Sequence, residues 1–169
     1  MPPLDVEISV SPIIKEWIVS TYGSDTIQCQ QDDFISSKIK YLLTLVPKDY
    51  KPKHVEKENR ITIQLINFAI GNNSSNLYKK INEYHSFLCP TVERLIEKEF
   101  ARNFKSTFHN FVFGYVVSTT NAVGTQKEGI ETFCSVYGIT MNKINYEMLK
   151  KSWDRSTEKR VLMLKFLNN

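Results

Sequence analysis

Seven side chains near the C-terminus have the types that grip a polyanion: Asn145, Tyr146, Lys150, Lys151, Arg155, Lys159 and Arg160. Lysine and arginine neutralise phosphate oxygens, a tyrosine hydroxyl donates to them, and Asn or Arg side chains can reach base edges. Charge is concentrated in the same place. The 169-residue chain carries a formal net charge of +4. Residues 1–141 hold 15 basic and 15 acidic side chains, whereas residues 142–169 hold seven and three, so the whole excess lies in the last 28 residues. A basic helical end suits contact with nucleic acid. The alternative is a solvated helix with a Lys/Arg bias.

The elements that position these residues read as helix, turn, helix. Thr125 caps a first helix, and Glu128 three residues later completes a capping box. Ile130, Phe133, Cys134 and Tyr137 form its apolar face. Gly138 suits a left-handed C-terminal position. Asn145 is expected to cap a final helix with Met148, Leu149 and Trp153 inward, and Val161 to Leu167 extends or follows it. Cys134, a small residue four positions before Gly138, would let the two helices cross closely, with Ile139 and Ile144 filling the seam.

Over about residues 125–160 this pattern resembles the helix–turn–helix DNA-binding proteins of phages and mobile elements. The resemblance implies a second helix inserted in a major groove, in a DNA-binding regulator or accessory factor of a phage or mobile element, with Lys and Arg against the phosphates. It departs from the usual pattern at Glu147. Counting from Gly138, this carboxylate stands where the second helix normally has an apolar core residue, so the turn must be longer by one or two residues. The other reading of the same segment is an ordinary helical hairpin that closes the core.

Upstream, Leu4 to Val10 alternates apolar and polar residues, the period of a half-buried strand. Ser11-Pro12 reads as an N-cap and first helical position, followed by Ile13, Ile14, Trp17 and Ile18 at helical spacing and a stop at Tyr22-Gly23. Thr26 to Gln30 is a short strand. Asp32 or Asp33 caps a second helix bearing Phe34, Ile35, Ile39, Leu42 and Leu43, which ends at Pro47. Residues 47–60 form a polar loop or linker, and Arg60 to Phe68 a strand with Ile61, Ile63 and Leu65 on one side. After a loop at residues 71–75, a helix from Asn76 to Leu88 meets the Cys89-Pro90 interruption. A helical stripe then continues through Val92, Leu95, Ile96, Phe100, Phe104, Phe108, Phe111 and Tyr115 to a turn at Asn121–Gly124. These aromatics are expected in the core, since base-stacking aromatics sit exposed, typically on a sheet.

Other chemistries find no address. The chain has no glycine-rich phosphate loop, no HExxH and no GxSxG. Asp32-Asp33 looks like a helix start, and Glu97/Glu99, interleaved with Lys98 and Arg102, like a solvated face. His85 and Cys89 are four apart on a helix, but no second clustered pair completes four zinc ligands. The three cysteines, Cys29, Cys89 and Cys134, are far apart and odd in number, which suits buried thiols in a reducing compartment. The most apolar run, Phe108 to Val117, is broken by His109, Asn110 and Gly114 and is too short to span a bilayer. Asp5 and Glu7 stand where the basic region of a signal peptide would be.

The sequence therefore predicts a cytoplasmic, mainly helical α+β protein without catalytic residues, metal or cofactor. It divides into a small α/β part at residues 1–70 and a helical part at residues 71–169 with the hairpin at 125–160, unless the whole is a single domain. The helices of residues 76–120 should form the core, with the hairpin packed at one end. Duplex DNA is the expected partner, with a homodimer formed through the N-terminal half. The alternative is a non-catalytic protein-interaction or assembly module.

Overall fold

The computed structural model describes residues 4–30, 39, 59–66, 90–118 and 124–167, with residues 4, 90, 118 and 158–167 described by backbone alone. Among these residues the order is β1 (Leu4–Ser9), α1 (Pro12–Tyr22), β2 (Thr26–Cys29), β3 (Arg60–Leu65), α2 (Pro90–Ser118), α3 (Gln126–Val136) and α4 (Lys143–Leu167). The class is α+β and mainly helical, as the alternation and spacing predict. The chain forms two compact units, Met1–Phe100 and Ala101–Asn169, and the division falls within α2. The helix expected after Asp32 (Ile39 excepted), the loop at 47–58, the division near residue 70 and the helix at 76–88 lie outside the described residues.

In the first unit, β3 is the central strand of a three-stranded sheet of order β1-β3-β2, antiparallel to β1 and parallel to β2. Strand alternation puts every second residue on one face. The register places Val6 opposite Ile63, Ile8 opposite Ile61, Ile27 opposite Ile63 and Cys29 opposite Leu65. All of these are buried. The other face is polar and cross-linked: Gln28 donates to Gln64 at 3.2 Å, and Gln64 donates to Asp5 at 3.1 Å, so a row of two amides and a carboxylate crosses all three strands. Arg60 pairs with Glu7 at 2.6 Å on the same side.

Helix α1 buries Ile13, Ile14, Trp17 and Ile18, the four residues that its spacing singles out. Ser11 is its N-cap by backbone geometry, but its hydroxyl makes no capping bond. Within the same unit, Glu93 near the start of α2 accepts from the Ser9 N–H at 3.1 Å, and Val92, Ile96 and Phe100 are buried one helical turn apart.

The second unit holds the rest of α2 with α3 and α4. Phe104, Phe108 and Val112 are buried on α2, Ile130, Phe133 and Cys134 on α3, and Leu149 on α4. Phe104 and Phe108 of the aromatic stripe are buried as expected, whereas Phe111 is half-buried beside buried Val112 and Leu95 of the same expected stripe is 42% exposed. The close approach of helices, however, is made by Gly129. A Cβ there would stand 3.2 Å from Val112 Cγ1 and 3.4 Å from the Tyr115 ring, both on α2.

The α3–α4 connection is closed by its own hydrogen bonds. Thr125 and Glu128 form the expected capping box at 3.2 and 2.8 Å. At the other end of α3, Gly138 is left-handed at φ 57°. The Ile139 N–H donates to the Cys134 carbonyl at 2.8 Å and the Gly138 N–H to the Ser135 carbonyl at 3.4 Å. That pair is a Schellman motif, and Ile139, the residue after the glycine, is buried. Asn142 then caps α4 by accepting from the Asn145 N–H at 2.8 Å.

Substitutions should separate these constraints in urea unfolding. Gly129→Val should lose about 1–3 kcal/mol by overpacking against Val112 and Tyr115. Gly138→Ala meets no atom within 4 Å, so its loss of about 1–2 kcal/mol should come from the positive φ alone. Asn142→Ala should lose about 1 kcal/mol of capping. Wild-type stability in the Gly129→Val protein would remove the close approach from the account of the fold.

Candidate functional site

Helix α4 takes its phase from Leu149, which is 1% exposed. Asn145, Tyr146, Ser152, Trp153 and Ser156 lie three, four or seven residues away, on the same face of a helix with 3.6 residues per turn. All five are half-buried. Over residues 143–157 the inward face thus mixes Asn145, Ser152 and Ser156 with Tyr146 and Trp153 around Leu149, and this phase corrects three expectations. Asn145 is the third residue of α4, and its cap is Asn142. Ile144 does not fill the seam, being 80% exposed, and Met148 is 42% exposed rather than inward. Leu149, two residues beyond Glu147, takes the core position.

The phase also sorts the seven polyanion-type residues. Lys150, Lys151 and Arg155 are exposed. Asn145 and Tyr146 lie on the half-buried face, and the Asn145 amide is engaged, donating to the Thr140 carbonyl at 2.7 Å. Lys159 and Arg160 continue the helix, described by backbone alone. Among the described residues, no carboxylate pairs with Lys150, Lys151 or Arg155. The nearby acids differ: Asp154 accepts from Gln126 at 3.0 Å, and Glu131 pairs with Lys127 at 3.8 Å.

Within the second unit, α2 and α4 are joined at His109. Its Nε2 lies 3.1 Å from both the carbonyl and the hydroxyl oxygen of Ser152, and its ring meets Trp153 edge-on at 6.3 Å. Beside this junction is a cleft of about 640 Å³. Lys105 and His109 of α2, and Met148, Lys151, Ser152, Arg155 and Ser156 of α4, line it. Pairs four residues apart share a helix face, so Lys105 with His109 and Lys151 with Arg155 form two short ladders. Sequence reasoning found Lys151 and Arg155 but missed Lys105 and His109. The available signal was that each directly follows a core phenylalanine, Phe104 and Phe108, which places both at the edge of the buried stripe.

Among the described residues, no group of three His, Cys, Asp or Glu side chains gathers to hold a metal ion. Cys29 and Cys134 are buried and not joined in a disulfide. His54, His85, Cys89 and Asp32-Asp33 lie outside the described residues. No helix among the described residues is long and apolar enough to cross a membrane. Comparison with protein-family models, with curated proteins and with solved structures gave no match to this chain.

Proposed function

We propose that this protein binds duplex DNA through α4, as a non-catalytic regulator or accessory factor. The observation that carries the reading is the set of three exposed cations on α4, Lys150, Lys151 and Arg155, without carboxylate partners among the described residues. Their unit is basic: residues 101–169 hold 10 Lys or Arg against five Asp or Glu, a net +5. Cations left without internal partners are available to replace the condensed counterions of DNA, and release of those ions drives binding. Because the Asn145 amide is occupied by the Thr140 carbonyl, the contacts fall on phosphates more than on base edges. Affinity should then depend steeply on salt and weakly on sequence.

A second reading, docking on a partner protein, is favoured by a different observation. Val136, Ile144 and Met148 on the same hairpin are 57%, 80% and 42% exposed. Exposed apolar side chains are a resource for protein interfaces when they form a continuous patch. Ionic strength separates the two readings, since apolar association does not weaken with added salt as phosphate contact does.

Fluorescence anisotropy of a labelled duplex should show binding that falls about 40-fold between 50 and 200 mM salt, for three phosphate contacts. The Lys150→Glu/Arg155→Glu double variant should lose it. Absence of binding at low salt would overturn the nucleic-acid reading.

A further inference from the structure

We propose that the cleft between α2 and α4 is a seat for one phosphate group. Lys105, Lys151 and Arg155 would be its cations and Ser156 its neutral donor. The proposal rests on the DNA-binding reading for its source, a backbone phosphodiester, and adds to that reading one cation outside α4, Lys105 of α2.

Three features support it. Cations from two helices line one cleft, and among the described residues its lining includes no carboxylate. Elsewhere in the unit the pattern differs, with Lys127 beside Glu131 and Asp154 bonded to Gln126. Like charges at helical i, i+4 spacing, such as Lys151 and Arg155, repel each other, and a bound anion attracts both and offsets that repulsion. Second, the walls are held in place without spending the cations. His109 and Ser152 join the two helices, so the imidazole acts as a strut and leaves the charged groups to the ligand. Third, the volume of about 640 Å³ falls within the range of small-molecule sites, roughly 300–1,000 Å³. A bare phosphate fills only part of it, which suits a phosphate carried on a larger body such as a nucleotide.

Met148 lines the same cleft, and its methyl group is a reporter. NMR of the full chain labelled at methionine methyls would follow two titrations, with inorganic pyrophosphate and with a short duplex DNA. Both should shift the Met148 methyl saturably. Lys105→Gln should weaken pyrophosphate about tenfold and lower the salt slope for duplex by about one. Lys127→Gln, outside the cleft, should change neither, and unchanged methyl spectra of the free variants would show that both fold. A Met148 shift with pyrophosphate, lost in Lys105→Gln, but no duplex binding would uphold the seat, assign it to a free phosphorylated molecule and overturn the DNA reading. Salt-sensitive duplex binding with Met148 unmoved by either probe, and with the Lys105→Gln slope unchanged, would overturn the seat and leave the DNA reading standing.

Discussion

The second unit depends on the burial of one ring. Phe133 of α3 is fully buried and stands within 6 Å, centroid to centroid, of Phe104, Phe108 and Phe111 on α2. It also meets Tyr137 at 4.7 Å. Three of these contacts are edge-on, the arrangement that brings the positive rim of one ring to the negative face of another. A unit this small has few side chains to bury, so one ring shared by so many neighbours carries a large part of its cohesion. Phe133 fixes where α3 lies on α2, and Gly129 one turn earlier lets the two backbones come close enough for it. The direction of α4 follows from the closed turn that leaves α3 and from Leu149, which brings α4 back to the core.

Much of this was legible in the sequence where the local signal and the packing agree. The strict alternation of β1 and β3 has only one face that can be buried, so the sheet follows from it. The Thr125–Glu128 box and Gly138 are local devices whose geometry needs no knowledge of the rest of the chain. The sheet order was not legible, because parallel pairing of β2 with β3 depends on a long crossover rather than on a turn.

The misplaced residues of α4 share one cause. An apolar residue on a helix is normally read as inward, but over residues 143–157 the inward face carries Asn145, Tyr146, Ser152, Trp153 and Ser156 around buried Leu149. Ile144 and Met148 lie off that face, so a count of apolar positions sets the helix in the wrong phase. Two asparagines three residues apart then offer two starts. The backbone selects Asn142 because the Schellman motif returns the chain to the core at Ile139 and leaves three residues before the helix begins. The cleft was half-hidden for a related reason. Lys105 and His109 belong to a helix whose pattern is dominated by phenylalanines, and only the second unit's packing brings them beside Lys151 and Arg155.

The connection from Tyr137 to Asn142 has a consequence for how such a sequence can change over time. Surface loops ordinarily accept added or deleted residues, since few of their backbone groups are committed. Here the Gly138 and Ile139 amides are bound to the helix before, the Thr140 carbonyl to the Asn145 side chain, and the Asn142 side chain to the helix after. One extra residue would break at least one of these bonds and rotate α4 by about 100°. The segment can drift in composition at its exposed positions, but its length is fixed, and an altered length would mark a descendant that presents a different face of α4.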